Sequence, residues 1–506
     1  MVKKKATLAL LPFTLCFSSA TVLAATTAEL ESRLEQQEQQ IKRLENRLKG
    51  TRAAVKENRT RMADQSDRLK INGFFSGGFA TNDGDDLVLT SNGIGDDYNS
   101  SSVTKFGVQM TFEVSDNISA TGQLTSKGLD DYNVEATWAY LDYEVTDDFK
   151  LRLGRTRLPY YLMSEYLDVG YAYPWVRPPI ELYNLPITET DGLTAFYDLA
   201  VGPVNVTFQL YGGSTSGYTK ELNASFTNNN QWSFVTQADV SDFTFRVAYS
   251  TSKLQLTDLG VEGDPGYDLL YGINGAIAVG SGIAGLAPAL GTAPTISSVG
   301  LDNHKVEYLS GAISYDNGSL LVMGEIANLQ VENIFQPAGD SGYVTVGYRF
   351  GKWMPHLTFA KTYTDSDSDE KFHTQMAYLD TLDTALAGPL AATTIPGVGL
   401  TGAEYAAINT QLRNGISGLI RQQQSYTLGL NYDLSSRVKV KGEVAFYEGF
   451  GENEVMTGFV PGGPLGVTPT YGSAPGIGLF SQTDTTNRAT VGNHTAIYSF
   501  SVDAVF

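Results

Sequence analysis

From Leu69 to Phe506 apolar side chains recur at every second position in segments of about ten residues, a period that fits strands and excludes amphipathic helices. The first alternating segment carries Leu69, Ile71, Gly73, Phe75, Gly77 and Phe79, and the second carries Phe106, Val108, Met110, Phe112 and Val114. Sixteen segments follow this rule, at residues 69–79, 106–114, 118–124, 139–145, 149–153, 193–197, 204–210, 232–238, 243–249, 309–315, 320–326, 344–350, 357–363, 426–432, 438–446 and 498–506. Tight turns are expected at residues 115–117, 146–148, 240–242, 316–318 and 433–436, and long excursions at 82–101, 158–188, 251–305, 365–424 and 448–495. Alternating short and long connections, with one apolar and one polar face per strand, predict an all-β transmembrane barrel of about sixteen antiparallel strands over residues 69–506.

The rest of the chain agrees with export to a membrane. Met1-Val-Lys-Lys-Lys5, an apolar run from Ala6 to Phe17 and small residues through Ala24 have the order of a secretory signal peptide over residues 1–24. That run is shorter than a spanning helix needs, and after Ala24 no long apolar run free of Gly and Pro appears, so a helical membrane protein is excluded. Cys16, the only cysteine, falls inside this segment, which leaves the exported chain without thiol or disulfide chemistry.

Removing Lys3, Lys4 and Lys5 takes the formal charge from −20 to −23, which argues against a nucleic-acid partner. Residues 25–68 carry heptads, with Leu34, Ile41, Leu48, Val55 and Met62 on one position and Leu30, Gln37, Leu44, Thr51, Asn58 and Gln65 on the other. They predict an α-helical coiled coil in the periplasm, with a single amphipathic helix as the alternative. Its second half is basic, from Lys42 to Arg61, which leaves open a contact with anionic envelope polymer.

Chemistry finds little support. His304, His356, His373 and His494 lack metal-ligand spacing, so neither a metal nor a cofactor is expected. The run Asp365-Ser-Asp-Ser-Asp-Glu370 lacks the glycine and distal glutamate of a calcium loop and reads as a solvated acidic loop. A lipase would need a Ser–His pair on the barrel wall, and no motif proposes one.

The opening strand Leu69-Lys-Ile-Asn-Gly-Phe-Phe75, the pair Ala139-Tyr-Leu-Asp-Tyr143 and Leu151-Arg-Leu-Gly-Arg155, and the final Ile497-Tyr-Ser-Phe-Ser-Val-Asp-Ala-Val-Phe506 together resemble the trimeric porins of Gram-negative outer membranes. A preceding coiled coil resembles the variant of that family with a periplasmic stalk. The resemblance implies a homotrimer in contact with outer-membrane lipid and lipopolysaccharide, with peptidoglycan as a possible partner of the stalk. It also implies passive passage of small hydrophilic solutes without enzymatic activity.

In such porins a loop after a strand ending in Gly-Arg folds inward and narrows the pore. The matching stretch places Arg155, Arg157, Glu165, Asp168, Arg177 and Glu181, with Tyr160, Tyr161, Tyr166 and Trp175, as constriction candidates. Tyr171, Tyr173 and Tyr183 lie in the same stretch. Acid and base facing each other across a narrow passage would set up a transverse field, while aromatic faces would either guide sugar rings or pack the loop against the wall. Three roles remain open at this level: a general diffusion pore, a channel selective for sugars or small anions, and a structural tether to peptidoglycan.

Overall fold

The computed structural model describes residues 68–84, 87–89, 91–185, 187–219, 224–257, 304–332, 338–364, 422–450, 452–461, 467–475, 480–482 and 494–506, with the single positions 42 and 49. The chain divides into two units, Met1–Asp67 and Arg68–Phe506. Of the first only Lys42 and Lys49 are described, both helical, so the signal peptide and the coiled coil lie outside the described residues. The acidic run from Asp365 to Glu370 and much of the three longest excursions also lie outside them.

The second unit is built from strands β1 (Leu69–Asn82), β2 (Leu87–Leu89), β3 (Lys105–Ser115), β4 (Ile118–Lys127), β5 (Val134–Thr146), β6 (Phe149–Arg157) and β7 (Glu189–Val201). Then come β8 (Val204–Thr219), β9 (Ala224–Val240), β10 (Phe243–Thr257), β11 (His304–Asp316), β12 (Leu320–Val331), β13 (Gly339–Tyr348) and β14 (Trp353–Thr364). The last six are β15 (Gln423–Ser435), β16 (Val438–Glu448), β17 (Glu452–Pro461), β18 (Val467–Pro475), β19 (Phe480–Gln482) and β20 (His494–Val505).

Sixteen of these close into one antiparallel barrel, in which each strand pairs with its neighbour in sequence and β20 returns to β1. Each predicted segment coincides with one barrel strand. Closure leaves no free edge, the condition for strands to cross hydrocarbon with every backbone group paired. The seam continues past β20, since Phe506 and Gly73 exchange both backbone hydrogen bonds, at 2.8 and 3.0 Å.

Strand pleating sorts the side chains. Leu141 of β5 stands beside Leu153 of β6, which stands beside Leu193 of β7, and all three face outward, with Leu153 60% exposed. Ile326, Leu357 and Leu428 continue this apolar band. Near the short turns it is edged by Tyr143, Tyr197, Phe243, Tyr348 and Trp353, and near the long loops by Phe79, Trp232, Tyr363 and Tyr498. The opposite parity is polar and buried, as at Gln123, Thr194, Ser233, Glu325 and Lys441. A polar interior inside an apolar girdle edged by aromatics inverts the arrangement of a soluble protein and points to the outer membrane.

Several expectations need correction. Connections at residues 202–203 and 349–352 are also tight, each turned by a glycine with φ +60°, Gly202 and Gly351. The excursion placed at 251–305 begins later, because β10 runs to Thr257 through Thr251, Ser252 and Lys253. The polar run at residues 250–253 interrupts the alternation, which resumes only at Leu254 and Leu256. The excursion placed at 448–495 carries the β17–β18 hairpin, and β19 pairs with β2 in the first long connection.

Candidate functional site

Among the described residues of 158–188, between β6 and β7, the regular structure is two short 3-10 turns, Ser164–Tyr166 and Gly170–Ala172. Their shape is set by the wall. The carbonyl of Tyr160 accepts from Ser310 Oγ of β11 at 2.9 Å, and that of Pro159 from Arg246 of β10 at 2.6 Å. Glu325 of β12 accepts from the Leu162 amide at 3.0 Å and from the Tyr183 hydroxyl at 2.9 Å.

Trp175 Nε1 lies 3.1 Å from Thr345 Oγ1 of β13 and 2.8 Å from Thr358 Oγ1 of β14. Glu443 of β16 accepts from the Val176 amide at 2.9 Å. A segment bonded to the inward faces of so many strands lies inside the barrel.

Lys441 of β16 is a further, fully buried fastening. Its ammonium lies 3.0 Å from Asp503 of β20 and donates to the carbonyls of Gly170 at 2.6 Å and Trp175 at 2.8 Å. Both charged side chains are buried. Gly170 comes close enough to the wall that a Cβ there would stand 2.3 Å from Asp503 Oδ1, so a larger residue would have to displace the Asp503 carboxylate from its place beside Lys441.

The ten candidates separate into groups. Tyr160, Tyr161 and Trp175 are buried and pack the loop to the wall, with ring centroids 5.0 Å apart for Tyr160 and Tyr308, 6.0 Å for Tyr161 and Tyr308, and 5.3 Å for Trp175 and Tyr343, while Tyr161 and Tyr183 pack within the loop at 4.5 Å. For these rings packing, rather than a sliding surface, is the observed role. Burial pushes the Tyr160, Tyr161 and Tyr183 hydroxyls above the ordinary tyrosine value.

Glu181 is buried and accepts from Gln423 at 2.9 Å, and its burial raises its carboxyl above the usual range. Burial alone would raise Asp168 as well. Arg157, Lys127 and Lys105 outweigh that and hold it well below the carboxylate range. Arg157 pairs directly with Asp168 and lies 3.4 Å from Glu189.

Glu165 and Tyr166 are exposed within the barrel and face the wall that the loop leaves uncovered. With them, Trp138, Arg152, Gln237 and Arg246 line a cavity of about 200 Å³. Arg152 is held by both oxygens of Asp142, at 2.7 and 3.0 Å, and lies 4.0 Å over the Tyr140 ring. Its charge and that of Arg246 are within electrostatic reach of Glu165.

A second cavity, of about 300 Å³, has Asp168, Arg177, Ser101 and Lys127 in its lining. Arg157 borders both cavities. Among the described residues no group of His, Cys, Asp and Glu could hold a metal ion.

Arg155 does not join the others. It shares the outward face of Leu153, and its guanidinium grips Asp191 of β7 with two bonds of 2.8 Å on that face. Gly154, with φ +134°, does not shift the register, so Arg155 keeps the parity of Leu153 beside Ala139 and Asp191, and only at the strand's last residue does Arg157 turn inward to Asp168. Residues of the wall went unread in the sequence, above all Lys105, Lys127, Arg152, Arg246, Glu325 and Lys441. One signal was present: Lys439, Lys441 and Glu443 take three successive inward positions between Val438, Val440 and Val444.

Fold and site define a closed sixteen-stranded antiparallel barrel with a polar interior and a loop fastened inside it. Among solved structures the chain is similar to outer-membrane expressed OmpT of Vibrio cholerae, at 12% identity and TM-score 0.45, covering 87% of this chain and 97% of that one. It is similar also to the anion-selective porin from Comamonas acidovorans (12% identity, TM-score 0.44, covering 87% and 99%) and to Pseudomonas putida OprB (9%, 0.43, covering 89% and 96%). No family model and no curated protein matches the chain. At these scores and identities nothing about function passes from those proteins to this one.

Proposed function

We propose that the chain is an outer-membrane porin through which small hydrophilic solutes diffuse passively, in a water-filled pore narrowed by residues 158–188. One observation carries this reading: the loop is fastened inside a polar-lined barrel and borders two cavities, with Arg157 lining both. Sixteen strands enclose a channel wide enough for water, and an inward segment reduces it to a passage. Glu165 on the loop and Arg152 and Arg246 on the wall form the acid and base of a transverse field. Such a field favours dipolar solutes and penalises apolar ones. Export by residues 1–24, assembly as a homotrimer and contact with lipopolysaccharide belong to the same reading.

Recording from purified protein in planar bilayers tests it. The expected result is stepwise conductance in threes, with reversal potentials that shift toward anions in Glu165→Gln and toward cations in Arg152→Gln. A folded protein that never conducts would overturn the proposal.

A further inference from the structure

We infer that the larger cavity is a binding site for a small, doubly charged oxyanion. In a chain of formal charge −20 its lining holds Lys105, Lys127, Arg157 and Arg177, with Asp168 as the one acid among the lining residues. Local charge thus runs against the composition of the whole protein. Arg157 is the most closely paired, with Asp168 directly and with Glu189 at 3.4 Å. Lys127 stands 3.5 Å from Asp168, long for a charged hydrogen bond.

The other two cations have neutral hydrogen-bond partners. Lys105 Nζ donates to the Tyr173 hydroxyl at 2.9 Å and to the Leu167 carbonyl at 3.3 Å, and Arg177 Nη2 donates to Ser499 Oγ at 2.9 Å. Arg177 Nη1 is buried without a hydrogen-bond partner among the described residues, a cost that a bound acceptor would relieve. Acids beyond the lining act at longer range, Glu443 on Arg177 and Asp503 on Lys105. Four cations against Asp168 and Glu189, with Glu443 at longer range, leave a positive surplus of one to two charges, which an oxyanion would balance.

Size is compatible with such a ligand. About 300 Å³ corresponds to roughly ten water volumes, enough for a compact oxyanion or a short diacid. Ser101, Ser102, Thr104 and Thr188 add hydroxyl donors to the lining. A neutral sugar would leave the surplus charge unanswered. Arg157, bordering the second cavity as well, provides an onward step toward Arg152 and Arg246. This deepens the porin reading, since the site would lie along the solute's path.

Titration calorimetry on the full chain in detergent, with sulfate as a compact probe, succinate as an extended one and glucose as a neutral one, tests binding independently of conductance. Saturable binding of at least one dianion, without glucose binding, is expected. Its dissociation constant should rise about tenfold or more in a Lys127→Gln, Arg177→Gln double variant. Lys361→Gln, which removes a charge outside either lining, should bind as the parent does.

The stronger of the two probes identifies compact or extended geometry. If neither dianion binds to folded protein, or the double variant binds as well as the parent, the site assignment is wrong whether or not the protein conducts. Binding without conductance would support the site and overturn the pore.

Discussion

Replacing Lys441 by Met should loosen the inward loop and destabilise the barrel by about 3–5 kcal/mol, the usual cost of stranding one member of a buried ion pair. Lys441 is 1% exposed and Asp503 is 2%, so water cannot replace the lost partner. The substitution also removes the donor to the Gly170 and Trp175 carbonyls, though these losses overlap with the first and should not be added to it. An effect of about 4 kcal/mol corresponds to nearly a thousandfold change in an equilibrium constant.

Urea unfolding in detergent measures the loss, and a cycle through Lys441→Met, Asp503→Leu and the double variant isolates the pair. The double variant should recover part of the stability, because removing both buried charges is far less costly than removing one. A single variant within about 1 kcal/mol of the parent, or a cycle with no coupling, would refute the view that this pair anchors the loop.

Three further outcomes are expected. Arg155→Ala should leave ion selectivity unchanged in bilayer recordings, because the side chain faces away from the pore; a changed reversal potential would place it inside. Asp168 has a folded-state pKa below its ordinary 3.8, so its contribution to loop docking is present above that value and lost as pH falls through the depressed one. Open-channel current should therefore grow noisier below about pH 3.8 in the parent and show no such acid component in Asp168→Asn; identical traces would refute the pairing. Gly78→Ala would bring a Cβ to 1.9 Å from the Phe500 carbonyl oxygen, an atom held in the β1–β20 ladder, so the variant should fail to close the barrel, which thermal unfolding in detergent would show as a lowered midpoint against the parent.

The wall was legible in the sequence because its two faces meet different solvents. Lipid demands Leu, Val and Phe at every second position, and that demand leaves a trace whatever the partner strand. The loop was legible as a unit too, through its density of Tyr, Trp and Pro, but its inner and outer residues were not separable. An irregular segment has no period from which to read orientation.

Arg155 shows the limit from the other side. Strict alternation sets it on the face of Leu151 and Leu153 only if the strand neither ends nor bulges there, a point the sequence left open, and likeness to an inward loop drew it toward the pore. The wall residues that grip the loop stayed hidden because Glu325 or Arg246, at a single inward position, looks the same whether it meets water or a carbonyl. Only the return of a distant segment gives such a residue its partner.

The pairing of Gly73 with Phe506 also bears on how the chain reaches its final form. Neighbouring hairpins can form as soon as each is delivered, but the ring has no last bond until β20 arrives beside β1. Until then β1 keeps an unpaired row of amides, an edge that hydrocarbon will not tolerate and that any other extended chain could occupy. The order of events is thereby constrained: hairpins accumulate first, closure comes last, and something must shelter the first strand in the interval.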